Sequence, residues 1–219
     1  MLLGIDTCGS IGTVALAQRE GDQIVVLASA ELAGKTYAAL LVPRIRALLE
    51  ASEVSLPQIE AIVIVNGPGS FTGVRVGVSV VKGLAEALKT PVIAVSRLAV
   101  LAQNGQTPYA ALDAGRGEFY FGDYAGGHHE ALVSVDELRA AASISTVAIC
   151  EEKTAAAFPD ALLVSQPTAA DALATALPRL LKKDFDDLAA LDGNYLRRSD
   201  AELFARPKPD ALAGNTRNV

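Results

Sequence analysis

The sequence has only two cysteines and two histidines, and it carries no excess of positive charge. Cys8 and Cys150 lie too far apart in sequence to suggest a disulfide framework, and so few thiols suit a reducing, cytoplasmic compartment. Both sit at the edge of apolar runs and are expected to be buried thiols. The histidines, His128 and His129, are adjacent. Neighbouring residues on a regular element point apart, so the pair makes a poor set of metal ligands. Their setting, Gly-Gly-His-His-Glu, reads as an exposed turn. With 19 Lys and Arg against 25 Asp and Glu, the formal net charge is −6. A chain that binds RNA alone needs a basic face to neutralise phosphates, and no Lys/Arg cluster appears before the C-terminal end. No apolar run reaches the roughly 18 residues of a membrane span. The start, Met1-Leu2-Leu3-Gly4-Ile5-Asp6, does not read as a secretory signal, having no basic segment and an acid at position six. The string Gly-x-x-x-x-Gly-Lys-Ser/Thr is missing too, so there is no Walker-type phosphate loop.

What is present is globular: 219 residues, 51% hydrophobic and 20% charged, enough for one large domain or two small ones. Leu2–Ile5, Thr13–Ala17 and Ile24–Ser29 read as strands separated by turns at Gly9-Ser10 and Gly21-Asp22, which predicts antiparallel neighbours. Thr36–Glu50 has helical spacing, with Pro43 either bending the helix or marking its first turn. Ala61–Val65 and Val92–Val95 are short runs typical of strands buried on both faces. Between them runs a long helical pattern. The second half shows strands at Tyr109–Asp113, Glu118–Tyr124 and Ala131–Val135, then a short helix at Asp136–Ala142 capped by Asp136 or Ser134. A strand at Thr146–Cys150 follows, then a helix at Thr168–Lys183 interrupted by Pro178. Three strands, helix, strand, helix thus occur twice, the second time shorter and without sequence similarity. This order is that of the actin, sugar-kinase and heat-shock ATPase superfamily. The predicted architecture is a two-lobed α/β fold, each lobe a mixed sheet with flanking helices. The lobes are residues 1–102 and a truncated second lobe, 103–219.

The most distinctive string is Asn66-Gly67-Pro68-Gly69-Ser70-Phe71-Thr72-Gly73-Val74-Arg75-Val76-Gly77, at the joint between a buried strand and a long helix. Gly67 and Gly69 permit backbone angles closed to other residues. Ser70 or Thr72 can cap the helix start, whose free N–H groups favour anions. Gly73 and Gly77 share one helix face, so another backbone can approach there. This string resembles the signature of the TsaB (YeaZ) family of tRNA threonylcarbamoyladenosine biosynthesis proteins. Leu2–Thr7, Pro91–Leu98, Ala111–Tyr120 and Tyr195-Leu196-Arg197 resemble other stretches of that family. The likeness is dense over residues 1–124 and sparse beyond.

The resemblance implies a non-catalytic scaffold that activates TsaD, the subunit carrying the metal and the transferase chemistry. The ATPase TsaE joins the complex, and tRNA is reached only through it. The reaction places a threonylcarbamoyl group on the adenosine next to the anticodon. Alone, such a chain can form a homodimer through the surface that otherwise meets TsaD. In the family that surface comes from the first two helices, here pointing to Leu41, Ile45, Leu48, Val74, Val78 and Val81. Where many relatives have a His before the first helix, this chain has Tyr37. No cofactor is firmly implied. Asp6, Gly67, Gly69, Ser70 and Asp113 mark a candidate nucleotide cleft, where ATP or ADP with Mg²⁺ would bind weakly. The alternative reading is a free-standing enzyme of the same fold, protease-like or a small-molecule kinase. The paired metal histidines of the former are missing, and the second lobe looks too short for the latter. Arg197-Arg198-Ser199-Asp200, Arg206-Pro207-Lys208-Pro209 and Arg217 make the tail basic, either as a solvated end or as a contact for tRNA or TsaE.

Overall fold

Gly9-Ser10 and Gly21-Asp22 turn the chain back on itself twice, and the structure, a computed structural model describing residues 1–33 and 36–197, shows the two hairpins they close. β1 (Leu2–Asp6) pairs antiparallel with β2 (Ile11–Glu20), and β2 with β3 (Gln23–Ala33). After α1 (Tyr37–Ala51) the chain returns as β4 (Ala61–Val65), parallel to β1. Every β4 side chain is buried, as expected of an apolar run covered on both faces. α2 (Phe71–Leu88), β5 (Val92–Val95) and α3 (Arg97–Asn104) complete the first half. β5 runs parallel to β4, so the sheet order is β3-β2-β1-β4-β5.

The second half repeats this plan. β6 (Tyr109–Gly115), β7 (Glu118–Asp123) and β8 (His129–Ser134) form an antiparallel set. α4 (Val135–Ile144), β9 (Val147–Ile149), α5 (Glu152–Ala157), β10 (Leu162–Leu163) and α6 (Ala169–Lys182) follow. Read from β8, the sheet order is β8-β7-β6-β9-β10, with the same pairing directions as the first sheet. The fold is therefore the expected two-lobed α/β arrangement, and the repeat is longer than the sequence pattern suggested. Each half has one more helix, and the second has one more strand. Helix α6 corresponds to α3, not to α2; the counterpart of α2 is the six-residue α5.

The terminal helices are exchanged between the halves. α6 lies against all five strands of the first sheet, whereas α3 contacts β6, β7 and β9 of the second. The stretch after residue 103 thus returns to the first lobe. Strand alternation shows which face α6 takes. A side chain at Gly4 would meet the Ala169 carbonyl at 2.6 Å, so this face belongs to α6, whereas Ile64 reaches Gly77 of α2 on the opposite face. The first core therefore has α1 and α2 above the sheet and α6 below it. The second sheet carries smaller apolar clusters around Leu101 and Leu112, and around Leu138 and Ile149.

Two prolines sit inside helices. Pro43 occupies the seventh position of α1, beyond its first turn, and Pro178 lies within α6, which runs on to Lys182. An interior proline costs about 3 kcal/mol. α6 buries Ala169, Ala172, Leu173 and Ala176 completely, worth about 5 kcal/mol by apolar area, so the helix continues. Its start is fixed by a capping box between Thr168 and Asp171. Ser134 caps α4 in the same way. Among the described residues no helix is long and apolar enough to cross a membrane. The expected basic segments at 198–200 and 206–209, and Arg217, lie outside the described residues.

Candidate functional site

The carboxyl ends of β1, β4, β5 and β6 converge on a cleft, the place where open α/β sheets receive ligands. It is lined by Cys8, Gly9, Ser10, Tyr37, Gly69, Ser70, Arg97, Asp113, Ala114 and Tyr120, with a volume of about 510 Å³. Of the residues expected there, Gly69, Ser70 and Asp113 line it. Asp6 and Gly67 do not; both are buried behind it. Asp6 is 1% exposed and accepts a hydrogen bond from the Cys8 N–H at 2.7 Å. Asp113 accepts from the Gly115 N–H at 2.7 Å, so each half closes its first turn with an equivalent Asp. Burial pushes the Asp6 carboxyl above its ordinary value, with Arg97 opposing that rise.

The glycine string acts first as a close-contact surface. Gly67 has φ +116, open to glycine but strained for other residues, and its α-carbon faces the Asn194 carbonyl. Ser70 caps α2, its Oγ accepting from the Gly73 N–H at 3.3 Å. Side chains at Gly69, Gly73 and Gly77 would strike Cys8 and Thr7, and Thr7 Oγ1 donates to the Gly73 carbonyl at 2.7 Å. The neighbour that needs this room is the loop after β1.

Tyr37 stands on the cleft wall, with its hydroxyl donating to the Gly9 carbonyl at 2.8 Å and its ring against Gly12. Burial, then the Asp6 charge, pushes its hydroxyl up to about 12. The side chain thereby pins the Gly9 loop. Cys8 donates its Sγ–H to the Val65 carbonyl at 3.1 Å, and burial and Asp6 hold the thiol well above its usual range. Cys150 is pushed up to about 12 by burial. Both thiols are buried, as expected from sequence. A thiol reagent at pH 8 should leave both unlabelled in the folded chain and label both after unfolding in denaturant. Rapid labelling of the native chain would overturn this.

His128 and His129 are exposed, the first in the loop before β8 and the second at its start. His128 stacks edge-on with Tyr124 and lies 3.2 Å from Glu130, and His129 opens β8. Among the described residues no group of three His, Cys, Asp or Glu is placed to hold a metal.

The six residues expected to meet a partner lie on α1 and α2. Leu41, Ile45, Leu48, Val74, Val78 and Val81 are 0–7% exposed and belong to the chain's own core. They form the stripe that α1 and α2 turn toward each other and toward the sheet. The apolar surplus reaches solvent beside that stripe, with Leu40 42%, Val42 54% and Phe71 39% exposed. Val42, Ile45, Leu49, Val54, Leu56 and Leu84, together with Arg46, Glu50 and Ser55, border a groove of about 450 Å³. At the start of α2, Arg75 lies 3.8 Å above the Phe71 ring, and Tyr195 packs on Phe71 at 5.2 Å.

The Tyr-Leu-Arg string near the end spans the two lobes. Tyr195 packs on α2, Leu196 joins the second-lobe core, and Arg197 donates to the Ala114 carbonyl and to Glu118. Arg97 stands within the string Pro91–Leu98, and nothing in the sequence beyond its position sets it apart as a site residue. Its only signal was position: an arginine following a helix-capping serine at the end of a buried parallel strand.

A family model described as "TsaD: tRNA N6-adenosine threonylcarbamoyltransferase" matches residues 29–190. The chain is 39% identical over 129 residues to the tRNA threonylcarbamoyladenosine biosynthesis protein TsaB of Escherichia coli K12, covering 56% of this chain and 54% of that protein. It is 34% identical over 127 residues to the TsaB of Bacillus subtilis, covering 56% and 54%. The chain thus spans about half the length of the curated relatives it matches. Among solved structures, YeaZ from Pseudomonas aeruginosa is similar with a TM-score of 0.69 and 29% identity, covering 89% of this chain and 99% of that one.

Proposed function

The chain belongs to the TsaD-type tRNA N6-adenosine threonylcarbamoyltransferase family, on its TsaB (YeaZ) branch, and we propose that it serves threonylcarbamoyladenosine formation in tRNA as a non-catalytic subunit that binds and activates TsaD. The relatives named for this biosynthesis support the pathway. The observation that carries the subunit reading is the apolar face left over on α1 and α2. Val42 is exposed at a groove walled also by Ile45, Leu49, Leu56 and Leu84, and Leu40 and Phe71 are exposed elsewhere on the same two helices. Clustered exposed apolar side chains mark a partner surface. The same face would make a homodimer when TsaD is absent. On this reading TsaE and tRNA join through the complex, and the chain works in the cytoplasm.

The test is co-purification with TsaD from the same organism, comparing the native chain with the double variant Leu40→Asp/Val42→Asp. Both residues are exposed in the free chain, so the variant should fold as the native chain does. Two charges trapped in an apolar interface should weaken the pair by about 100-fold or more. A native chain that never associates, or a variant that co-elutes as well as the native, would remove the reading.

A further inference from the structure

Two kinds of dipeptide in this sequence can rearrange without an enzyme: Asn-Gly, at 66–67 and 104–105, and Asp-Gly, at 192–193. Glycine leaves its own nitrogen unhindered, so that nitrogen can attack the preceding side-chain carbonyl carbon and close a five-membered imide. In a free chain Asn-Gly reacts the faster, because an ionised carboxylate is a poor target for a nucleophile. The fold treats the three pairs differently. Asn104 ends α3, and the Gly105 N–H donates to the Leu101 carbonyl at 3.0 Å, which holds that nitrogen in the helical ladder. The Asn66 carbonyl accepts the Asn194 N–H at 2.7 Å, and the Asn66 amide donates to the Asp192 carbonyl at 3.2 Å. The Gly67 peptide is thereby fixed and the Asn66 side chain engaged elsewhere. Asp192 is exposed, and the Gly193 N–H donates to Asp192 Oδ1 at 2.7 Å. The nitrogen thus rests against the carboxyl group that it would attack, as in a near-attack conformer. The bond from Asn66 to the Asp192 carbonyl holds the peptide plane in that position.

We propose that Asp192 is a modification site, at which the main chain isomerises to isoaspartate. The Gly193 nitrogen bonds to Cγ and gives up its proton, and one carboxyl oxygen leaves as water, closing a cyclic imide. Water then adds at the former peptide carbonyl of Asp192, and the bond from that carbon to the nitrogen breaks. The nitrogen stays on Cγ and the α-carboxyl is freed, with mass and oxidation state unchanged. The product has one more methylene in the main chain, and the carbonyl that held Asn66 becomes a free carboxylate. This happens between two anchored points. Lys82 Nζ donates to the Leu191 carbonyl at 2.9 Å, and Asn194 is held by Asn66 of the first lobe and by Glu130 of β8 in the second. The extra methylene therefore displaces the chain where it crosses between the lobes. The proposal stands apart from the partner reading, because it uses no residue of the exposed face of α1.

The full chain, kept in warm neutral buffer and sampled over weeks beside the same chain in denaturant, tests this. An isoaspartyl carboxyl methyltransferase with a labelled methyl donor counts the product, and mass spectrometry of peptides with electron-transfer fragmentation locates it. Folding should slow position 104 by about tenfold or more and leave position 192 at least as fast as in denaturant. Asp192→Asn is isosteric at an exposed residue, so the variant should fold, and it should lose ammonia at 192 long before Asn104 does. Asp192→Glu, whose ring would need six members, should end the accumulation at this position. If folding slows 192 as much as it slows 104, or if folded Asp192→Asn keeps its amide as long as Asn104 does, the site is overturned.

Discussion

Gly73→Ala should lower the stability of the chain by about 3 kcal/mol, the upper range for forcing one extra methyl into a filled site. The methyl would occupy the space of the Thr7 carbonyl, which is backbone and cannot swing aside as a flexible side chain would. α2 would have to lift from the loop after β1, breaking the hydrogen bond from Thr7 Oγ1 to the Gly73 carbonyl. For a chain of this size, 3 kcal/mol corresponds to a fall in Tm of about 6–12 °C. Gly83, ten residues along the same helix, is the control, because nothing lies within 4 Å of a side chain built there. Gly83→Ala should raise stability by about 0.5–1 kcal/mol through helix propensity alone. Urea unfolding followed by circular dichroism measures both. A Gly73→Ala variant as stable as the native chain would show that the glycine string is not a close-contact surface.

Leu41→Asp should abolish folding, whereas Leu40→Asp should leave it intact. Leu41 is 1% exposed between α1 and the sheet. Losing its aliphatic contacts costs about 2–5 kcal/mol, and burying an unpaired carboxylate adds several more. That sum approaches the whole stability of an ordinary domain. Leu40 is 42% exposed, and an exposed change of this kind stays within about 0.5 kcal/mol. Soluble yield and the far-ultraviolet spectrum read the contrast. If both variants fold, α1 is not seated as described; if both fail, Leu40 is not a surface residue, and the partner test at Leu40 and Val42 loses its premise.

That pair also shows where sequence stopped being informative. Helical spacing found α1 and α2, and β-branched runs found β4 and β5 to the residue. Periodicity reports that a helix has an apolar stripe. When two sides are apolar it does not report which one the chain covers by itself: the six residues expected at the partner face lie in the core, and Ile45 also borders the groove. Gly73 and Gly77 were legible because four-residue spacing places them on one face, but the identity of their neighbour, Thr7, is a tertiary fact. Arg97 left no periodic trace, since a single buried charge departs from no pattern. Asp6 ends β1 as expected, Asp113 lies two residues short of the end of β6, and only the structure shows the former sealed behind the cleft. Propensity alone makes Pro178 an interruption, because it weighs the lost hydrogen bond and takes no account of the buried face of α6.

The exchange of α3 and α6 bears on the order in which the protein can be made. The Ala169 N–H bonds to Thr13 Oγ1, 156 residues away, and this end of α6 covers the strand that leaves the ribosome first. Until α6 emerges, one apolar face of the first sheet has no lid. At about 5–20 residues per second, the interval between completing α3 and completing α6 is roughly 4–16 s. During that time the nascent chain presents Val63 and its neighbours to any sticky surface nearby. A ribosome-bound chain halted before residue 169 should therefore recruit holding factors, and one released after α6 has emerged should not.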